Sequence, residues 1–314
     1  MTPFDPHTLL QPRRKVMGIS AMLLPFLENG EADWRGFSEH LERTMAAGLI
    51  PAINMDTGYG MLLTRTDRRF VGIQTKSIAK GHPFCMGVCV PDQHDLPFNR
   101  EAYMEELQFI HAMGAIPVIT QSHGLTSLPD EELLRAYEDL ARYTDHFYAF
   151  ELGTMFAPFG KIYSMEVFEA LLKIPNCLGI KHSSLSRELE WQRLVLRNQV
   201  RPEFRLFTGN DLAIDMIMYG SDYLLGLSTF APQLFGLRDK YWLEGDPRFY
   251  ELNDKLQYLG CFAFRPPVPA YKHSAAQFLH QRGWIATSRT HVRSLTRPDT
   301  DLPILHHIAE SLGL

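Results

Sequence analysis

Eight short apolar runs punctuate the chain: VMGISAMLLP from Val16, LIPAINM from Leu49, FCMGVCV from Phe84, AIPVIT from Ala115, HFYAFEL from His146, NCLGIK from Asn176, FRLFTG from Phe204 and DYLLGL from Asp222. None alternates apolar with polar residues, which is the pattern of strands in a parallel sheet covered on both faces. Between them, DWRGFSEHLERTMAAG, PDEELLRAYEDLARYT, SMEVFEALLKI and SRELEWQRLVLRN repeat apolar residues at helical spacing and carry acidic or hydroxyl side chains near their starts. For the first six units the strands begin roughly every 30 residues, the length of a βα repeat. Eight such units predict an α/β fold, a (β/α)8 TIM barrel. Beyond about Pro232 only helical patterns remain, and RPPVPA, Arg265 to Ala270, marks a break before a further helix. The expected organisation is an N-terminal extension over residues 1–15, a barrel over 16–235 and a C-terminal helical subdomain over 236–314.

At 314 residues, 45% of them hydrophobic, the chain is long enough to bury one large core. A net charge of -5 without a basic run gives no electrostatic footprint for nucleic acid or an anionic membrane, so neither is expected as a partner. No run approaches the roughly 20 apolar residues of a membrane helix, and MTPFDPHTLLQPRRK holds no apolar leader, so the expected location is cytoplasmic. Cys85, Cys89, Cys177 and Cys261 are too scattered for a disulfide framework, and no CxxC or HExxH spacing points to a metal. Small-molecule chemistry is the expectation.

The sixth apolar run ends on an amine, in LGIKHSS from Leu178. In a barrel the C-terminal ends of the strands carry the active site. Lys181 at such an end stands among apolar walls, where desolvation disfavours the ammonium. An unperturbed lysine, with a pKa of about 10.4, is neutral in fewer than roughly one molecule in a thousand at pH 7. Lowering that pKa to about 7 to 8 represents roughly 3 to 5 kcal/mol of environmental bias, and an amine so poised attacks a carbonyl.

Leu178-Gly179-Ile180-Lys181, followed by small polar residues, resembles the GIK(E/D)(A/S) segment of the dihydrodipicolinate synthase and N-acetylneuraminate lyase family of class I aldolases. The likeness continues in GISAMLLPFLENGEADW (Gly18 to Trp34), in MDTGYG (Met55 to Gly60) where that family has a GTTGE loop, in FTGND (Phe207 to Asp211), and in PPVPAYKHS, similar to an NPxPxK helix start. The resemblance implies a Schiff base between Lys181 and a 2-oxo acid such as pyruvate or a keto-deoxy sugar acid, no metal or organic cofactor, and a homo-oligomer, dimer or tetramer.

Departures from the family pattern define the remaining candidates. Phe150 falls where the resemblance implies a catalytic tyrosine, and Tyr148, Glu151 and Tyr163 are the candidates to replace its hydroxyl. Asp56 stands in the GTTGE-like loop, where Thr57 and the amides near Gly58 are expected to hold a substrate carboxylate. His123, in TQSHG after the fourth strand, is a candidate for proton transfer. Asn54, Ser183 and Gly209 are expected to line the pocket. The changes at Phe150, Asp56 and His123 suggest rerouted proton transfer, and no arginine lies between Glu151 and Gly160. Both argue for a lyase other than the lysine-biosynthesis synthase. Two alternatives stay open: a metal-dependent or hydrolytic barrel enzyme using Asp56, His123 and Glu151, and a non-catalytic barrel that binds an oxo acid.

Overall fold

In the computed structural model, which describes residues 5–314, the eight apolar runs are parallel strands closed into a barrel in sequence order. They are β1 (Gly18–Ala21), β2 (Ile50–Ile53), β3 (Cys85–Val88), β4 (Ile116–Ile119), β5 (Phe147–Leu152), β6 (Cys177–Ser183), β7 (Arg205–Thr208) and β8 (Asp222–Leu225). The helices are α1 (Trp34–Ala46), α2 (Arg65–Ala79), α3 (Arg100–Met113), α4 (His123–Thr126), α5 (Asp130–Leu140), α6 (Met165–Lys173), α7 (Arg187–Val200), α8 (Pro232–Glu244), α9 (Arg248–Ala263), α10 (Tyr271–Gln281) and α11 (Leu302–Ser311). The expected (β/α)8 barrel with a helical C-terminal region is the fold observed. Residues 1–4 of the expected N-terminal extension lie outside the described residues.

Short polar side chains start the helices where the sequence places them. Asp33, Asn99, Ser164 and Ser186 each accept a hydrogen bond from the backbone amide three residues ahead, satisfying a donor the helix itself leaves open. α5 lacks such a cap and instead carries Asp130, Glu131 and Glu132 in its first turn, where the helix dipole favours negative charge.

The strands are apolar on both faces because each face meets a different core. Ile19, Ala52, Val118, Tyr148, Phe150 and Phe207 fill the barrel interior. Phe147, Ala149, Ile180 and Leu206 face the ring of helices. Strand alternation therefore sends Phe150 inward and Glu151 outward. The floor, at the N-terminal ends of the strands, is closed by charge. Asp222 accepts from Arg14 Nη1 at 2.9 Å, from Arg205 Nη1 at 2.6 Å and from the Met17 amide at 2.9 Å.

α8 packs on α1 and β1 and completes the ring, so the expected boundary at residue 235 falls inside this helix. α9, α10 and α11 pack on one another beyond it. The chain between α10 and α11 returns to the loops that follow the strands. There the Ala286 amide donates to Asp33 at 2.9 Å, Thr287 donates to the Phe26 carbonyl at 2.7 Å, and Arg293 bonds the Leu62 carbonyl. No helix among the described residues is long and apolar enough to cross a membrane.

Candidate active site

Gly179, Lys181 and Ser183 share the inward face of β6, and Lys181 lies in register between Phe150 on β5 and Phe207 on β7. The lysine is 8% exposed. Burial pushes its amine below the ordinary lysine range, against the pull of the Asp211 and Asp56 charges. Among the described residues nothing hydrogen-bonds or ion-pairs with Nζ. Its neighbour is the face of Phe150, 4.5 Å from ring centroid to nitrogen.

Gly209 makes room for this arrangement. A Cβ on it would stand 2.7 Å from Lys181 Cε and 2.0 Å from Ser183 Oγ, so any larger residue would displace one of the two. Ser183 Oγ and Asn54 Oδ1 are buried without a hydrogen-bond partner. Unpaired buried polar atoms are uncommon in native proteins, and at a strand end they are available to a ligand.

The loop after β2 meets the start of α10. Tyr271 hydroxyl lies 2.8 Å from Thr57 Oγ1 and 3.0 Å from Asp56 Oδ2, and Lys272 Nζ donates to both Asp56 oxygens at 2.8 and 2.9 Å. Tyr271 and Lys272 are buried, whereas the Asp56 side chain is 39% exposed. Gly226, just past β8, again supplies the space, because a Cβ there would meet Tyr271, Phe264 and Thr57. The amides of Gly58, Tyr59 and Gly60 bond the carbonyls of Met55 and Asp56. The expectation that amides near Gly58 hold a carboxylate is thus not met by those three.

Four further sequence-based candidates make no bond to Lys181 among the described residues. Glu151 is fully buried on the outer face of the barrel wall, where it binds His182 Nδ1 at 2.6 Å, Arg193 Nε at 2.6 Å and the Tyr163 amide at 2.7 Å. Burial works against its charge, but His182 and Arg193 outweigh it and hold the carboxyl below the usual carboxylate range. Its role is structural, because strand alternation turns it from the pocket, and Tyr163 belongs to the same outer network. Tyr148 faces inward as expected but one layer down, 4.7 Å from Phe207, with Arg205 and Asp222 of the floor in electrostatic range. Its register partner on β6 is Gly179, two residues before Lys181. His123 begins α4, and its ring packs between those of His94 at 5.7 Å and Phe159 at 5.2 Å.

A cavity of about 240 Å³ opens at the C-terminal ends of the strands. Its walls are largely apolar, with Met61, Phe150, Leu152, Phe156, Phe159 and Leu295 prominent. Two of its polar side chains are committed elsewhere: Thr120 donates to the Val88 carbonyl at 2.6 Å, and Gln121 pairs with the Lys161 backbone at 2.7 and 3.0 Å. Lys181 is not itself on the wall. The Phe150 ring that carries its ammonium is.

Asp211, the last residue of FTGND, is a member of the site that the sequence reading quoted without singling out. It accepts from the Leu227 amide at 2.7 Å, and burial pushes its carboxyl up to about 7 despite that bond and the Lys181 charge. The native state therefore holds a proton that the unfolded chain releases near pH 4. This contribution is complete below that pH and is lost as pH rises towards 7, at up to about 1.4 kcal/mol per unit. Asp211→Asn keeps the bond to Leu227 and is expected to flatten the stability profile between pH 4 and 7. Denaturant midpoints across that range check it, and an unchanged slope rejects the assignment. Tyr271 and Lys272 were also missed as site residues. Their signal was PPVPAYKHS itself, read as a helix start with no indication that this start points at the barrel mouth.

No family model matches the chain. It is 26% identical over 236 residues to the 4-hydroxy-tetrahydrodipicolinate synthase of Kosmotoga olearia, covering 72% of this chain and 75% of that protein. It is 27% identical over 266 residues to the probable 5-dehydro-4-deoxyglucarate dehydratase 2 of Streptomyces avermitilis, covering 81% and 74%. Its fold is similar to that of dihydrodipicolinate synthase from Thermotoga maritima, with a TM-score of 0.80 at 17% identity over 96% of this chain and 99% of the other. A prophage protein of the dihydrodipicolinic acid synthase family from E. coli K12, solved in complex with pyruvate, gives a TM-score of 0.80 at 16% identity over 95% and 99%. The chain is thus similar in sequence to a dihydrodipicolinate synthase-type enzyme and to a sugar-acid dehydratase, and it shares the barrel fold of the dihydrodipicolinate synthase structures.

Proposed function

We propose that the protein is a Schiff-base-forming lyase, an aldolase or dehydratase, that acts on a 2-oxo acid through Lys181 and is not the lysine-biosynthesis synthase itself. One observation carries this reading: the Lys181 amine is desolvated and unpaired at the C-terminal end of a barrel strand. A neutral amine adds to the 2-oxo carbon, and loss of water leaves an iminium. The iminium accepts the electron pair released when a bond at the next carbon breaks. Asn54 Oδ1 and Ser183 Oγ, both unpaired, are the polar atoms available to orient the substrate. The structural neighbour solved with pyruvate supports a 2-oxo acid as the ligand class. Phe150 must yield for the substrate to reach the amine, since its ring lies against Nζ and also lines the cavity.

The test is borohydride reduction in the presence of pyruvate, which is expected to fix a single three-carbon adduct on Lys181. An unmodified Lys181 at saturating pyruvate defeats the proposal. Adduct formation with no turnover of any oxo acid leaves a non-catalytic binder. The metal or hydrolytic reading needs Asp56, His123 and Glu151 to converge, and Glu151 faces the helices while Asp56 is engaged with Lys272.

The apolar walls refine the substrate. A polyhydroxylated chain would lose water and find few partners in this cavity, at roughly 1 to 3 kcal/mol for each unsatisfied hydroxyl. We infer that the distal part of the substrate is apolar rather than sugar-like. Enzyme-bound pyruvate is expected to condense at least tenfold faster with benzaldehyde than with glyceraldehyde. Equal rates or the opposite order reject this substrate class.

A further inference from the structure

We propose that Tyr271, contributed by the C-terminal subdomain, carries the proton of the reaction along a path that runs Thr57, Tyr271, Asp56 and then solvent. The inference rests on the Schiff-base reading of Lys181. It begins from a hydroxyl that the barrel lacks, because Phe150, in register beside Lys181, has no exchangeable proton. Of the sequence-based candidates, Glu151 and Tyr163 belong to the network outside the barrel wall, and Tyr148 packs one layer below, against Phe207.

Tyr271 shares the surroundings of Lys181. Both lie within electrostatic range of the same two carboxylates, Asp56 and Asp211. The tyrosine ring is stacked on Phe264 at 4.2 Å and sits in the space that Gly226 leaves open, so its hydroxyl is fixed against the loop after β2. Burial keeps the phenol protonated, and the neighbouring Asp56 charge reinforces this.

Hydrogen counting gives the path a direction. The Asp56 carboxylate, held by Lys272 at 2.8 and 2.9 Å, can only accept. The single Tyr271 proton therefore goes to Asp56 at 3.0 Å, and Thr57 must be the donor in the 2.8 Å contact with Tyr271. Thr57 is left with lone pairs to receive a proton from a substrate. When the iminium on Lys181 loses a proton from the adjacent carbon, the C–H electron pair forms the enamine double bond and the iminium nitrogen becomes neutral. The proton passes to Thr57 Oγ1 as the Thr57 proton moves to Tyr271, and the Tyr271 proton moves to Asp56. The Asp56 side chain is 39% exposed, so the proton leaves there to water. Lys272 positions Asp56 and takes no proton in this scheme.

Two readouts with pyruvate in D2O separate this proposal from the one beneath it. Borohydride trapping reports Schiff-base formation at Lys181, and deuterium entry at the pyruvate methyl reports proton removal. Tyr271→Phe keeps the ring and the Phe264 stack. It is expected to retain trapping and lose exchange by about 100-fold or more, as for the loss of a positioned proton carrier. Asp56→Asn removes the terminal acceptor and is expected to show the same split should the tyrosine variant not fold. Tyr148→Phe, deep in the barrel, is expected to exchange as the wild type does. Exchange in Tyr271→Phe within threefold of wild type overturns the path. So does an equal loss in Tyr148→Phe, or a wild-type protein that traps pyruvate without exchanging it. A wild-type protein that fails to trap at all defeats the Schiff-base reading, and this proposal falls with it.

Discussion

Lys181→Met leaves a folded, more stable protein that no longer reacts with oxo acids. The substitution keeps an unbranched side chain as far as Cε and removes the nitrogen, so the packing beside Gly209 is retained. Covalent capture of pyruvate is expected to vanish, with turnover down by at least a thousandfold, since the buried amine of Lys272 near the barrel mouth is ion-paired with Asp56. Stability is expected to rise by about 1 to 3 kcal/mol, because a polar group buried without a partner is replaced by an apolar one. The two signs together are diagnostic. A lysine kept for the fold would lose stability on this change, whereas one kept for chemistry gains it. Guanidinium unfolding and borohydride labelling of the same preparation decide between them. A drop in stability with turnover intact would end the Schiff-base assignment.

Arg193→Met is the counterpart, expected to be ruinous for stability and mild for chemistry. Arg193 donates two bonds to Glu151, at 2.6 and 3.0 Å, and one to the Tyr163 carbonyl at 2.7 Å, all in a buried site behind the barrel wall. Removing it leaves the Glu151 charge with His182 and the Tyr163 amide, and breaking a buried pair in this way typically costs about 3 to 5 kcal/mol. The double variant Arg193→Met with Glu151→Gln removes both members and is expected to recover much of the loss. Borohydride trapping at low temperature, where the single variant is still folded, is expected to stay near wild type. Loss of trapping in a demonstrably folded Arg193→Met protein would return Glu151 to the chemistry, contrary to the geometry.

The barrel was legible because its strands are buried on both faces, which leaves uninterrupted apolar runs that stand out from amphipathic helices. Lys181 was legible for the same reason, as a charge at the end of such a run. Glu151 shows where the reading fell short. The alternation that turned Phe150 and Tyr148 to one face also turned Glu151 to the other, and its partner Arg193 lies on a helix that sequence spacing alone does not bring there. Tyr148 has the opposite problem. Its face follows from alternation, but its depth depends on how the strands stagger around the barrel. Tyr271 and Lys272 were the least accessible, because their part in the site depends on how a helix beyond the barrel docks. Local pattern marks where that helix begins and carries no information about which surface its first turn meets.

The charged floor has a consequence for traffic. Arg14, Asp222 and Arg205 are bonded to one another at the lower end, so among the described residues a molecule that enters between the strand tips leaves by the same mouth. If Lys181 cleaves a carbon–carbon bond as proposed, the fragment that is not tethered departs first. The tethered oxo acid follows once water frees it, so the order of release is imposed by which fragment stays bonded to the lysine and not by the relative affinities of the two.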